Sequence, residues 1–280
     1  MSLVEPATQP GHLGRLIRSE LALVFRRRRN QALLAVLAGP PALIGIAVKV
    51  SAPPPGAGPD FLGQVTGNGL FLVYTALSVC LPLFLPLGIG VVAGDSIAGE
   101  ANIGTLRYLL TVPVGRGRLL AVKALAVLAY SAAALAMVAV SGLITGAILF
   151  GIHPLTLLSG DTVSVGSGVL RTLGVIAYVT FALTGLVALG LFISTLTEGP
   201  IAAMAATVAV TIIVEVLDAV PQLGASRQWL FTHNWLGFGE LLRLQINFGT
   251  LLTWSALQLG YIAIFGSLAW ARFTTKDITS

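Results

Sequence analysis

The chain has 280 residues, 56% of them hydrophobic and only 10% charged, with a mean hydropathy of +0.92. A soluble domain carries about 25% charged residues, so these totals exclude an ordinary soluble protein and call for an integral membrane chain. The net charge of +5 and the pI near 9.8 do not indicate a nucleic-acid partner, because the basic residues cluster at the ends of apolar runs, where they orient a membrane chain.

Taken in chain order, the first feature is a basic amphipathic segment over about residues 12–29. At 100° per residue, Leu13, Leu16, Ile17, Leu21, Leu23, Val24 and Phe25 fill one broad arc, while Arg15, Arg18, Ser19 and Arg26 fill the other. Only Glu20 breaks the pattern. The segment reads as an interfacial helix with its arginines toward lipid headgroups, leading into the first span. A plain positive flank would explain the arginines but not the apolar arc. The first apolar run begins after Asn30 and lacks a small-residue cleavage site, so no cleaved signal peptide is expected.

Six apolar runs follow, each close to the roughly twenty residues that cross ~30 Å of hydrocarbon. They are Ala32–Val50, Leu70–Ala93, Leu119–Phe150, Val169–Ile193, Ile201–Val220 and Leu251–Ala271. The expected fold is therefore a single all-α transmembrane domain over residues 1–280. Pro40, Pro41, Pro82 and Pro86 are expected to kink their helices, which is tolerated where neighbours cover the freed carbonyls. The third run is long enough to tilt or to project beyond the bilayer.

With the N-terminus inside, the cytoplasmic segments would hold Arg15, Arg18, Arg26 to Arg29, Arg107, Arg116, Arg118, Lys123, Arg272 and Lys276, twelve of the sixteen basic residues. The other side would hold Lys49, Arg171, Arg227 and Arg243. This bias places both termini in the cytoplasm and the chain in the cell membrane.

Between spans two and three the chain is polar. On a helix over 97–110, Ile103, Leu106, Leu109 and Leu110 share one arc, and Glu100, Gly104 and Arg107 line the opposite face. Pro113 disfavours helix at Val112, and Gly115 and Gly117 make a turn before the next span. Periodicity alone leaves two readings equal: a surface helix offering Glu100 and Arg107 to the cytosol, or a mere connector. Asp95 and Glu198, at the cytoplasmic ends of spans, read as orientation or docking groups.

On the outer side, SAPPPGAGPD is a stiff linker. The stretch 221–249 mixes Trp229, Phe231, Trp235, Phe238 and Phe248 with polar residues, which suits an interfacial anchor or a short re-entrant element, with a substrate gate as the alternative. Glu215 and Asp218 are three apart near the outer end of the fifth span. They either reach the outer water or form a polar patch at a substrate exit.

Several chemistries lack their residues. Cys80 is the one cysteine, so no disulfide framework exists. His12, His153 and His233 have no ligand spacing, and no metal site is expected. None of Lys49, Lys123 and Lys276 follows a glycine, so there is no phosphate-binding loop and no ATPase site of the chain's own.

The stretch GEANIGTLRYLLTVPVGRGRLLAVK resembles the cytoplasmic signature of type-2 ABC transporter permeases, through Glu100, Gly104, Thr105, Leu106, Leu109, Leu110, Pro113, Arg116 and Leu119. SELALVFRRRR is similar to that family's N-terminal helix, and FTTKDIT, with Phe273, Lys276 and Asp277, to its C-terminal ending. The family often has a further acidic residue where this chain has Ile103. The resemblance implies a coupling helix, seated in a groove of a cytosolic ATPase that binds ATP and Mg. It implies a permease subunit of an exporter, paired with a second permease chain, identical or related, and moving an amphiphilic or lipophilic substrate such as a drug, antibiotic, peptide or lipid. An ion-coupled carrier would need ionisable groups near the midplane, where the six runs have none. A non-transporting scaffold or sensor that binds an ATPase is the remaining alternative.

Overall fold

The computed structural model describes residues 11–51, 68–104 and 115–275. Apart from a hairpin of two two-residue strands, its regular structure is helical. The helices are α1 (Gly11–Arg26), α2 (Arg28–Leu37), α3 (Gly39–Ser51), α4 (Gly69–Cys80), α5 (Phe84–Asn102), α6 (Arg116–Phe150), α7 (Val165–Ala182), α8 (Thr184–Leu196), α9 (Pro200–Asp218) and α10 (Phe248–Thr275). Strands β1 (Leu155–Thr156) and β2 (Thr162–Val163) pair antiparallel, with Leu155 opposite Val163. Two 3₁₀ segments, Pro221–Trp229 and Trp235–Leu242, join α9 to α10. Six helices are long and apolar enough to cross a membrane, counting α2–α3 and α7–α8 each as one, and the protein is an all-α membrane protein.

Three apolar runs are broken helices, and each break has a local cause. Pro40 and Pro41 fall in the first turn of α3, where a missing N–H costs nothing, and the Ser141 hydroxyl donates to the Ala38 carbonyl at 2.6 Å. The run 70–93 separates into α4 and α5 at Leu81–Leu83, because neither Pro82 nor Pro86 can donate to the preceding turn. The break at Leu183 has no proline. There the Thr184 hydroxyl donates to the Phe181 carbonyl at 2.6 Å, a local side-chain bond that competes with the helical ladder.

The centre of the bundle is α5, whose most apolar window is 72% buried, against 17% for α9 and 11% for α10. It packs on α8 and α9, while α4 packs on α6. Small residues allow these approaches. A Cβ on Gly146 would overlap the Gly69 backbone, and one on Gly94 would fall 2.8 Å from the Ala203 carbonyl oxygen. Helices in lipid gain little from burying apolar surface against each other, so close backbone approach of this kind contributes much of the adhesion. Asn68, buried ahead of α4, accepts from the Leu70 N–H at 3.0 Å and donates to the His153 carbonyl at 2.9 Å, tying α4 to the chain leaving α6.

The aromatic stretch after α9 folds back onto the bundle. Trp235 is fully buried and donates from its indole to the Ala182 carbonyl at 3.0 Å. Gln258 donates to the Phe231 carbonyl at 2.8 Å, and the hydroxyl of Tyr178 donates to the Asn234 carbonyl at 2.9 Å. Phe231, Trp235, Phe238 and Leu242 are buried there. They are packing residues, whereas Trp229 and Phe248 stay exposed.

Candidate functional site

The densest chemistry lies at the end of the bundle where α1, α2, α5 and α6 meet, and it is ionic. The helix α1 turns Leu16, Ile17, Glu20, Leu21 and Val24 inward, the i, i+1, i+4 spacing of a single face, while Arg15, Arg18 and Arg26 are exposed. Glu20, the residue that interrupts the apolar arc in sequence, is at the middle of the buried face and is 5% exposed. Its carboxylate oxygens accept from the Lys123 ammonium at 3.2 and 3.1 Å. Lys123 lies two turns into α6, has no exposed side-chain surface, and also meets Glu100 Oε1 at 2.6 Å. Glu100 belongs to the last turn of α5.

One lysine thus joins three helices from three parts of the chain. An isolated ammonium would be expelled from such a place, and so would either carboxylate alone, so each requires the others. With all three ionised the cluster carries one net negative charge, and the guanidinium of Arg27 acts on Glu100 electrostatically from nearby.

One helical turn earlier on α5, Asp95 forms ion pairs with Arg27 and Arg29, the latter at 2.7 Å, which clasps the start of α2. Asn30 is buried beside them; its amide donates to the Val24 carbonyl at 2.9 Å, and its own carbonyl accepts from the Tyr130 hydroxyl at 3.2 Å. Ser194 of α8 enters the backbone ladder of α5. Its hydroxyl donates to the Gly94 carbonyl at 2.6 Å and accepts from the Ala98 N–H at 2.9 Å. Arg116, expected among docking residues, reaches the C-terminus of α10 and donates to the Thr274 carbonyl at 2.9 Å, where the helix dipole favours a cation. Beside this cluster an apolar crevice of about 300 Å³ opens between α6, α8 and α10, lined by residues such as Leu120, Leu128, Leu191 and Trp270.

The expectation for Glu100 is corrected. It does not face the cytosol beside Gly104 and Arg107, since it is 1% exposed and paired to Lys123. Nor is residue 97 the start of a separate surface helix. Residues 97–102 are the last turns of α5, buried at Ile97, Ala98 and Gly99, and the chain leaves them through exposed Gly104 at φ +71°. That left-handed conformation suits glycine and stops the helix. Thr105, Leu106, Arg107, Leu110 and Pro113 lie outside the described residues, so the remainder of the expected helix over 97–110 does too.

At the other end, Glu215 and Asp218 share a helix face but have different company. Asp218 meets His233 at 2.6 Å and Arg227 at 3.5 Å, which fastens α9 to the loop that follows it. Glu215 is half-buried and makes no ion pair with a described residue. Lys123 and Asp95 are the functional candidates that sequence reasoning undervalued. A signal for Lys123 was present, since LLAVKALAVLAY surrounds a lone cation with apolar residues, and such a cation needs a buried anion.

No curated protein matches the chain. Residues 60–279, which include five of the six candidate spans, match a family described as "protein of unknown function (DUF2705)", and the chain therefore belongs to that family.

Proposed function

We propose that this chain is the membrane-spanning subunit of an ATP-driven exporter, working with separate cytosolic ATPase subunits and a second permease chain. Both termini would be cytoplasmic, as the distribution of lysine and arginine favours. The observation that carries the reading is the Glu100–Lys123 pair, 2.6 Å long, which closes the two helices on either side of segment 103–115. That is the segment whose sequence resembles the ATPase-docking signature of type-2 ABC permeases.

A push on a loop moves two spans together only if the spans are joined at the loop's base. Here they are joined by a buried ion pair, and Glu20 adds α1 to the same body. ATP binding on the partner would close the ATPase subunits, and the segment would pass that motion to α5 and α6 as a unit. The ATPase supplies the nucleotide and Mg sites; this chain supplies the lever. The apolar walls favour an amphiphilic or lipophilic substrate.

The test is co-purification of the intact chain with an ABC ATPase from its native membrane, followed by ATPase assay in lipid. The reading predicts a stable complex whose turnover responds to the permease. A chain that neither retains an ATPase nor alters its turnover would refute it, and would leave an ion-coupled carrier or a sensor.

A further inference from the structure

A second site lies away from the ion cluster, on the flank of α10. The loop 228–234 and one stripe of α10 enclose an open groove of about 920 Å³. This is within the range of cavities that hold small organic molecules. The α10 wall is a helical stripe, Trp254, Leu257, Tyr261, Ile264 and Phe265. From Trp254 to Phe265 it runs eleven residues, or about 16 Å, close to the ~15 Å hydrocarbon depth of one leaflet. The facing wall is polar, with Gln228, His233 and Asn234 beside Trp229. The loop is held there by the Tyr261 hydroxyl, which donates to the Trp229 carbonyl at 2.9 Å, and by Asp218, which meets His233 at 2.6 Å.

Asn234 is the residue that points to a ligand. It is 3% exposed and lines the groove, and its backbone carbonyl is taken by Tyr178. Its carboxamide has no hydrogen-bond partner among the described residues. The carboxamide is not sealed off, as the side-chain oxygens of Thr232 and Gln258 are, so its polar atoms are open to whatever fills the groove. A molecule in the groove can supply the missing partner.

We propose that this groove binds a single-chain amphiphile of the bilayer. The apolar chain lies along the α10 stripe between Trp229, Trp254 and Phe265. The head presents acceptor oxygens, as a phosphate or an ester does, to the amide of Asn234, with Gln228 and His233 within the same wall. The length match to one leaflet selects a lipid-like molecule over a soluble one, and the polar loop wall selects a headgroup over a bare hydrocarbon. Binding needs no ATPase, so the site stands whether or not the chain is an exporter.

The test uses the full-length chain in nanodiscs of unbrominated phosphatidylcholine, titrated with a lysophosphatidylcholine carrying a dibrominated chain, which quenches nearby tryptophan. A Trp270→Phe background removes the exposed tryptophan at the far end, while Trp235 is buried, so the signal comes from Trp229 and Trp254. The expected result is saturable quenching, with half-saturation raised about five- to tenfold by Asn234→Leu, the loss of one hydrogen bond. Leu257→Phe, which fills the groove from the helix side, adds no tryptophan and keeps the carboxamide, should weaken binding similarly, so a folding defect peculiar to one variant cannot decide the matter. Quenching that rises in proportion to probe content and is equal in all three proteins means ordinary annular lipid and overturns the proposal. Absence of quenching, with disulfide cross-linking of two copies through Leu257→Cys, means that a second copy covers the groove and overturns it as well.

Discussion

Replacing Lys123 by methionine keeps most of the side-chain volume and removes the one cation that separates Glu20 from Glu100. Both carboxylates are at most 6% exposed, and the ammonium between them has no exposed surface. Neither acid can turn to water without pulling α1 off α6 or unwinding the end of α5. Breaking a buried ion pair from one side costs about 3–5 kcal/mol, because the uncompensated charge stays behind. At the usual sensitivity for a chain of this size, that lowers Tm by roughly 10 °C. The protein has its own reporter, since Cys80 is its one cysteine and is fully buried, so a thiol-reactive dye reports its exposure on unfolding. The decisive comparison is Lys123→Met combined with Glu20→Gln and Glu100→Gln. With every charge of the cluster removed, most of the lost stability should return, because the defect lies in stranded charge and not in missing contacts. Equal melting of wild type and Lys123→Met, or a triple variant no better than the single one, would refute the argument.

Asp95→Asn should cost less, about 1–2 kcal/mol by the same assay, since Arg27 and Arg29 are 28% and 40% exposed and can turn toward water once released. A loss equal to that of Lys123→Met would show that the graded exposure of the partners does not govern the cost. Ser194→Ala should destabilise by about 1–3 kcal/mol, because the Gly94 carbonyl and the Ala98 N–H lose a buried partner inside α5. Unchanged melting would mean that α5 closes its own ladder. Gly146→Ala should cost about 3 kcal/mol by forcing α4 from α6 where the Gly69 backbone allows no Cβ, and Ala147→Gly, on the same helix, serves as the contrast.

The number of spans was legible because lipid imposes a simple demand, a long run of apolar residues, but the second was misplaced: the expected run 70–93 divides, and the helix long enough to cross is Phe84–Asn102. The break at Leu81–Leu83 was also legible, through Pro82 and Pro86. The break at Leu183 was not, because the Thr184 hydroxyl that accompanies it occurs in many unbroken helices. Glu100 shows a different limit. Helical phase states which residues share a face, and it cannot state whether that face meets water or another helix. Lys123 enters from twenty-three positions further along, so the burial of Glu100 is a tertiary fact that no local window contains. Glu20 was visible as an anomaly, an acid in the middle of an apolar arc. Its meaning needed the partner, because a lone charge in an apolar setting signals that a counter-charge exists without saying where.

The placement of these charges bears on what the bundle can do. Ion pairs in a helix bundle that served only to hold it together could sit anywhere along its length, and burying them would be a poor choice beside apolar packing. Here Glu20, Asp95, Glu100 and Lys123 gather at one end of the bundle, where the last turns of α5 and the first turns of α6 flank segment 103–115. Ion pairs differ from apolar contacts in being directional and in losing most of their strength once separated, so they resist sliding and splaying more than they resist uniform expansion. A joint of that kind suits a place where force is applied and must not be absorbed locally. Stiffness at the base of the loop is what the proposed lever, driven from that end, would require.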